Sequence, residues 1–413
     1  MKQQLIAALT ILLLMAPHTA LAMEVSLFPA AELDELYNSN VGATGNNPKG
    51  DWTTAELLGG KIEATSAHRD LFLTYATVFS ENASYQNLDR FARDHSLRLN
   101  DTELLSASTT LSVSDSFLRG NAASAQFFSG ATEPITSQLL ATALYNSTTL
   151  SNAFSSNLRY VGPKLLAWSG ELHQTFFSTG STSRTVNTTA GLSFDQGGSL
   201  GVERPLGERF SIGAGYQFDD FRFNNGVPSS ESHTPLLRLT WGTGSPFTLQ
   251  AWAGPTFVSS SSGVIGRTRF PATTSVQPGF QVTANYQGER FSLQGSAGEA
   301  SGLSAGFGGQ TNNIAVTALC RYELTRRTIL FTNVGYLDFS GTGTNGYSLS
   351  YAAGVSYRLT RQISLTAEYY GYQTQANGGS LGTFAIAPGQ TIAANVFLFG
   401  IAFQGAPWRW IVD

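Results

Sequence analysis

Residues 209–218, RFSIGAGYQF, give the clearest indication of the fold class of this chain. Apolar and polar or small residues alternate through it: Phe210, Ile212, Ala214, Tyr216 and Phe218 are separated by Ser211, Gly213, Gly215 and Gln217. A period of two predicts a β-strand with one apolar and one polar face. The turn signal Pro205-Leu206-Gly207-Glu208 comes directly before it, so the strand is expected to begin just after a tight turn.

The same unit, a tight turn followed by an alternating strand, recurs along the C-terminal half of the chain. Short turns are predicted at 161–164, 205–208, 242–245, 287–289, 324–327 and 359–362. Together with turns near His68 and near Asp101 there are about eight short turns, and counting them as hairpin ends gives about 16–18 antiparallel strands of ~10 residues each. The pattern favours an all-β chain that forms a transmembrane antiparallel β-barrel.

The connections between the predicted strands fall into two length classes. Longer segments rich in Ser, Gly and Asn are predicted as loops at 219–233, 259–274, 300–311, 339–346 and 376–390. Short turns on one rim and long loops on the other are typical of outer-membrane barrels, with the short turns in the periplasm and the long loops outside the cell.

The N-terminal third follows this scheme less regularly. Strands are predicted at 26–41, 50–67, 69–82, 93–101 and 104–117, with turns near His68 and near Asp101. Residues 118–150 are long and only loosely periodic, with a short helix predicted at 138–144. A loop of this length is uncommon unless it is functional, so we interpret it as a surface loop or an inward-folded plug of the lumen.

The first 22 residues have the pattern of a secretory signal peptide. Lys2 supplies a positive charge, Leu5 to Met15 form a short apolar run, and Ala20-Leu21-Ala22 is a small-x-small cleavage site. Residues 1–22 are therefore predicted to be a cleaved signal peptide, and residues 23–413 to form one barrel domain.

The composition favours a barrel over a soluble domain. Charged residues make up only 13% of the chain, about half of what soluble domains carry, while aromatic residues reach 12% and glycine counts 43. A soluble all-β sandwich, β-helix or propeller is the alternative, but the last two would show a stricter sequence repeat. A barrel needs no charged coat where it contacts lipid.

Net charge and cysteine content exclude some partners and sites. The formal net charge is −4, so the chain has no basic surface with which to bind nucleic acid. The single cysteine, Cys320, can form neither an internal disulfide nor a thiolate metal cluster. We interpret it as a buried or lipid-facing packing residue.

The opening segments EVSLFPAAELDELYNSNV, GDWTTAELLGGKIEAT and RDLFLTYATVFSENASY, at 24–41, 50–65 and 69–85, carry a family resemblance. They resemble the bacterial β-barrel porin type 2 group, which includes outer-membrane proteins associated with exopolysaccharide and exosortase systems. The residues that match are Tyr37, Asn38, Asn40, Asp51, Arg69, Leu73 and Tyr75. The strand starts RFSIGAGYQF, RFSLQGSAGEA and RQISLTAEYYGY and the closing FLFGIAFQGAPWRW match as well, although Asn-Ser-Asn at 38–40 replaces the family's acidic element. The resemblance implies a barrel and an association with polysaccharide.

No constellation in the sequence points to catalysis or to a metal ion. After the signal, the histidines are His68, His95, His173 and His233, with His68 and His95 near turns or strand starts, His173 in a strand and His233 at a loop end. No two have the spacing of metal ligands, and no Gly-x-Ser-x-Gly elbow is present. We therefore expect neither an enzyme nor a cofactor.

Charged residues inside predicted strands are the candidate functional residues, because facing lipid costs an arginine ~2–4 kcal/mol near the midplane. The set is Glu171, Glu203, Arg238, Arg321, Glu323, Arg358 and Glu368. Arg358 and Glu323 lie close to short turns and are interpreted as braces of the wall. Glu171, Arg238, Arg321 and Glu368 are the candidates for lining the lumen, where they would set the field that a solute experiences.

Aromatic residues cluster at predicted strand ends, where their rings suit a girdle at the membrane interface. They are Tyr160, Trp168, Phe210, Trp241, Phe247, Tyr286, Phe291, Tyr322, Tyr357, Phe403, Trp408 and Trp410. Trp252, Tyr370 and Tyr372 fall on the polar side of their strands. Aromatic side chains in a lumen stack on sugar rings, although packing is the commoner role.

These observations predict an outer-membrane pore for polar or saccharide solutes, associated with exopolysaccharide export. Its expected partners are outer-membrane lipid, the polar or polysaccharide solute and periplasmic export components. Three alternatives stay open: a non-conducting structural or adhesive barrel, the sheath of an electron-transfer conduit, and a lumenal hydrolase.

Overall fold

The computed structural model is an antiparallel β-barrel. It describes residues 23–40, 48–84, 90–120, 147–181, 191–223, 228–242, 244–265, 268–304, 309–341, 344–377 and 391–412. The strands are β1 (Met23–Asn38), β2 (Asp51–Thr65), β3 (Arg69–Asn82), β4 (Arg90–Ser106), β5 (Thr109–Gly120), β6 (Ser147–Val161), β7 (Ala167–Ser181), β8 (Gly191–Pro205), β9 (Phe210–Phe223), β10 (Ser230–Trp241), β11 (Phe247–Ser260), β12 (Gly263–Ile265), β13 (Thr268–Phe270), β14 (Thr273–Gln287), β15 (Phe291–Ser304), β16 (Gly309–Glu323), β17 (Thr328–Gly341), β18 (Thr344–Arg358), β19 (Ile363–Asn377), β20 (Thr391–Gln404) and β21 (Trp408–Val412).

The barrel closes because the first strand pairs with the end of the chain. Each barrel strand pairs with its neighbour in sequence, and β1 pairs with both β20 and β21, which together make up the last strand. The short hairpin β12–β13 lies outside the barrel sheet. The result is an 18-strand barrel, within the range predicted from the sequence. With strands ~4.8 Å apart and tilted by ~40°, its backbone diameter is roughly 35 Å.

One rim carries the short turns that the sequence predicted. The connections 206–209, 242–246, 288–290, 324–327 and 359–362 join consecutive strands there, and 163–165 form a single turn of 3₁₀ helix. Gly242 and Gly244 adopt φ of 88° and 74°, a left-handed conformation that glycine tolerates best. The turn near His68 is also confirmed, at residues 66–68.

The opposite rim carries the longer connections, but several strands run further into them than predicted. Strands of 12 to 17 residues replace the expected ~10. Strands β9, β15 and β17 end at Phe223, Ser304 and Gly341, inside the predicted loops 219–233, 300–311 and 339–346, and 259–274 contains the β12–β13 hairpin. The physical reason is that polar residues in these stretches lie on the inner face of the strands, so polarity there does not indicate a loop.

The predicted turn near Asp101 is wrong. Asp101 lies inside β4, and the turn falls at residues 107–108. The Asp101 carboxylate accepts two hydrogen bonds from Arg69 on β3, from Nε at 2.9 Å and from Nη2 at 2.7 Å. An aspartate paired in this bidentate way fits a strand interior, because its charge is satisfied across the sheet.

Removing Arg69 is expected to destabilise the barrel, because the two side chains are only 10% and 7% exposed. Arg69→Ala leaves the Asp101 carboxylate largely buried without its bidentate partner and should lower the free energy of unfolding by about 3 kcal/mol. Arg69→Lys keeps the charge but not the fork geometry and should give an intermediate loss. Urea unfolding in detergent micelles, followed by tryptophan fluorescence, measures both, and an unchanged midpoint for Arg69→Ala contradicts this role of the pair.

A β-bulge lies in the seam that closes the barrel. Ala30 pairs with Gln404 and Leu27 with Trp408, so two residues of β1 oppose three residues, Gly405 to Pro407, of the closing strand. Pro29 sits at the bulge, where its missing N–H breaks no ladder, and its carbonyl accepts a hydrogen bond from the Gly405 N–H at 2.8 Å. The extra residue reverses the alternation of the last five residues.

Three predictions from the sequence fall wholly or largely outside the described part of the chain. These are the signal peptide at 1–22, most of the 118–150 segment, including the 138–144 helix, and most of the loop at 376–390. Among the described residues, no helix is long and apolar enough to cross a membrane.

Candidate pore lumen

The register of the strands divides the side chains of the wall into two faces. Residues that pair directly across antiparallel strands point to the same side. One face carries exposed apolar side chains such as Leu172, Leu200 and Leu237, which are 67%, 70% and 63% exposed. The other carries buried polar side chains such as Ser232 and Ser348, 1% and 2% exposed. The apolar face points outward and the polar face points into the barrel.

The predicted aromatic residues at the short-turn rim fit the outward face. Trp168, Trp241 and Tyr322 are 53%, 47% and 39% exposed. Trp408 and Trp410 join them because the bulge turns them outward, where they pair with Leu27 and Val25. Cys320 pairs with Leu293 on the same outward face.

All four candidate lumen residues lie on strands at positions that point into the barrel. Glu171 pairs with Ser199, Arg238 with Gly213, Arg321 with Ser292 and Glu368 with Gly354, each on the polar face. They are the third to sixth residues from the short-turn ends of their strands. The structure thus brings them into one half of the barrel, but it does not bring them into contact with one another.

Arg238 extends along the inner wall. The position that a Cβ of Gly201 would occupy lies 3.1 Å from Nη1 of Arg238, so the side chain reaches from β10 across β9 to β8. Trp252 pairs directly with Arg238 and donates a hydrogen bond from Nε1 to Oε1 of Gln281 at 2.9 Å. The sequence placed Trp252 on the polar side of its strand, and the structure places an arginine and an amide beside it.

An acidic wall, defined as Glu32, Asp34 and Glu368, lies on the inner face where the barrel closes. Asp34 pairs with Gly400, and the Asp34 and Glu32 carboxylates both lie over that glycine. Glu368 on β19 points to the same inner face, because it pairs with Leu398 of β20, two residues from the Gly400 that pairs with Asp34. Of these three residues, only Glu368 was predicted from the sequence to line the lumen. Glu32 and Asp34 were missed because they belong to a stretch without regular alternation.

A basic mouth, defined as Arg326, Arg327, Arg358 and Arg361, lies at the short-turn rim. These four arginines line a cavity of about 350 Å³ together with Glu32. Arg358 was interpreted as a brace; it ends β18 at this mouth. Glu323, the other predicted brace, lies 3.9 Å from Arg321, and Glu203 accepts a hydrogen bond from the Ser211 hydroxyl.

The structure also assembles a group that the sequence did not predict. His173 on β7, Asp195 on β8 and Asp219 on β9 meet on the inner face, with Nε2 of His173 3.2 Å from Oδ1 of Asp219 and 3.9 Å from Oδ1 of Asp195. The three residues are far apart in sequence, so no spacing motif could reveal them.

The expectation that His233 ends a loop is wrong: it lies inside β10 on the outer face, hydrogen-bonded to Tyr216.

The barrel is similar to solved outer-membrane porins. The structure of Pseudomonas aeruginosa OpdK with vanillate aligns with 94% of this chain and 99% of its own, at 10% identity and a TM-score of 0.40. Pseudomonas aeruginosa OccK2 (OpdF) in complex with glucuronate aligns with 92% and 97% of the two chains, at 12% identity and 0.42. The anion-selective porin from Comamonas acidovorans aligns with 93% and 100%, at 12% identity and 0.40. No family model matches the sequence, and none of the curated proteins is significantly similar to it.

Proposed function

We propose that this chain is an outer-membrane pore for polar solutes, inserted after removal of residues 1–22. One observation carries the proposal: a closed 18-strand wall has an apolar outer face and a polar, charged inner face. An apolar outer band suits lipid, and a barrel of 16–18 strands is too wide for its inward side chains to fill. The short-turn rim is then the periplasmic end, and the long connections face outward from the cell.

Liposome swelling tests the solute class. The chain from 23 to 413, refolded into liposomes, should let arabinose enter and swell the vesicles at a rate that falls as the sugar lengthens to a tetrasaccharide. Vesicles with heat-denatured protein serve as the control. Swelling no faster than in those controls contradicts a pore and favours the non-conducting structural barrel.

The charged residues of the inner face are proposed to set ion preference. Glu171, Arg238, Arg321 and Glu368 bring both signs of charge into the periplasmic half of the lumen, so no strong selectivity follows from their number. Each charge nevertheless acts locally. A unit charge ~10 Å from a passing ion in water contributes ~0.4 kcal/mol, about a two-fold change in local ion concentration.

Opposite substitutions should therefore shift selectivity in opposite directions. Glu368→Gln removes a negative charge from the acidic wall and should lower the cation-to-anion permeability ratio about two-fold at low salt. Arg238→Gln should raise the ratio by a similar factor, because it removes a positive charge from the opposite part of the wall. Reversal potentials in a ten-fold KCl gradient measure both, and shifts of the same sign in the two variants contradict the assignment.

The finer part of the proposal is that the solute is a saccharide and that the pore serves exopolysaccharide export. Its support is the sequence resemblance of the opening segments and the inward-facing aromatic residues Trp252, Tyr370 and Tyr372. A strain lacking this chain should release less exopolysaccharide and retain more of it in the periplasm. Undiminished export from that strain contradicts this part of the proposal and leaves the pore itself in place.

A further inference from the structure

The group of His173, Asp195 and Asp219 has the composition and shape of a metal site. Its candidate ligand atoms, one from each residue, all lie within 4.8 Å of one another. The three side chains are 23%, 17% and 10% exposed, so they are mostly covered while still open toward the lumen. The group comes from three neighbouring strands, β7, β8 and β9, which hold it rigidly.

The distances within the group are close to those that a bound ion needs. Metal–ligand bonds of about 2.0–2.2 Å place neighbouring ligands roughly 3.0–3.4 Å apart in tetrahedral or octahedral sites. Nε2 of His173 is 3.2 Å from Oδ1 of Asp219 and 3.9 Å from Oδ1 of Asp195. Asp195 must move toward the other two residues to complete the geometry, since the three ligand atoms lie within 4.8 Å of one another.

The wall makes room for this arrangement at Gly197. Gly197 pairs with His173 on one side and with Asp219 on the other. A Cβ at this position would lie 2.7 Å from Cε1 of His173 and 2.8 Å from Oδ1 of Asp219. Glycine therefore lets the imidazole and the carboxylate close over the strand between them.

Surrounding residues orient one ligand and leave another unsatisfied. Asp219 accepts hydrogen bonds from the Ser232 hydroxyl at 3.1 Å and from Nε2 of Gln217 at 3.1 Å, as ligating carboxylates commonly do. Oδ1 of Asp195 is buried and has no hydrogen-bond partner among the residues that the structure describes. A buried carboxylate oxygen without a partner is costly, and a cation bound beside it would remove that cost.

We propose that His173, Asp195 and Asp219 bind a divalent transition-metal ion on the lumen wall. One imidazole nitrogen and two carboxylate oxygens favour Zn²⁺ and its neighbours over Ca²⁺ or Mg²⁺, which prefer oxygen ligands alone. Binding uses the lone pair of Nε2, so the proton that this nitrogen shares with Asp219 leaves when the ion enters. Three protein ligands leave at least one coordination position to lumenal water, so the ion is exchangeable.

The test is zinc binding to the folded, untagged chain 23–413 in detergent micelles, after treatment with EDTA and dialysis. Isothermal titration calorimetry with ZnCl₂ should show one site per chain. His173→Gln and Asp195→Asn should each weaken it at least ten-fold, whereas His233→Gln, which alters a histidine on the outer face, should leave it unchanged. Heat-modifiable migration in gels verifies that every variant is folded, and the visible absorption of bound Co²⁺ gives a second readout of the ligand set.

Two results would overturn the proposal. One is the absence of stoichiometric zinc binding to the native chain, which would make the group a structural ion triad around a protonated histidine. The other is equal affinity in the native chain and in both ligand variants. Binding is measured without any current, so a chain that binds zinc but does not conduct contradicts the pore and leaves the metal site standing.

Discussion

Val282→Arg is expected to destabilise the barrel by about 2–4 kcal/mol, whereas Thr283→Arg, one residue along β14, leaves its stability nearly unchanged. Val282 is 36% exposed and pairs with Ala251 and Ala297 on the outward face. Thr283 pairs with Gln250 and Ser296 on the inward face. The two variants place the same new charge at almost the same depth in the membrane, one on the outward face and one on the inward face.

The difference in stability between the two arginine variants is large because residue 282 lies deep within the apolar band of the outer face. Val282 lies four positions along β14 from Tyr286 in the aromatic girdle, which places it roughly 10 Å inside an apolar band ~25 Å tall. An arginine there must leave water or distort the lipid, while an arginine at 283 extends into the polar lumen. Thr283→Arg should instead lower the cation-to-anion permeability ratio.

Unfolding in urea from lipid vesicles, followed by tryptophan fluorescence, measures the two free energies. Val282→Ala is the control for the loss of the valine side chain. Equal losses of stability in the two arginine variants would contradict the assignment of faces, because they would mean that both positions meet the same surroundings.

Deleting Ala406 and Pro407 together should destabilise the closing seam by about 3 kcal/mol or more. Trp408 would then follow Gly405 directly, so the last five residues would reverse their faces, since alternation in a strand has a period of two. Trp408 and Trp410, now 64% and 46% exposed on the outer face, would turn inward and lose their place in the interfacial girdle. Arg409, which lies 3.6 Å from Glu24, would turn toward lipid.

The matched control is Ala406→Ser, which keeps the length of the bulge and should behave like the native chain. Refolding yield and the urea midpoint in vesicles measure both variants. A deletion variant as stable as Ala406→Ser would show that the bulge does not set the orientation of the two tryptophans.

The strands and short turns could be predicted from the sequence because local chemistry defines them. The alternation in 209–218 and the glycines at 242 and 244 act within a few residues, so they do not depend on the rest of the fold. Predictions failed where polar residues lie inside strands. Asp219 and Ser232 were predicted to lie in a loop, and Asp101 in a turn. The sequence alone does not distinguish a polar residue that faces water outside the protein from one that faces a lumen within it.

The lumen could be predicted only in part for a related reason. A charge inside an apolar strand identifies Glu171 or Arg238 as inward-facing without any knowledge of the partner strand. The acidic wall and the His173 group depend on register: Gly197 must oppose both His173 and Asp219 before the group exists. Register follows from the shear of the whole barrel, which no local pattern encodes.

Single-channel recording shows whether this barrel encloses a water-filled path through a membrane. The chain 23–413 is refolded in detergent and added to a planar lipid bilayer in about 1 M KCl, because salt at that concentration screens surface charge within a few ångströms. It should produce discrete, uniform current steps. Thr283→Arg, on the inner face, should change the step size, and the outer-face control Val282→Ala should not. A chain that is folded and inserted yet produces no current steps would contradict the account.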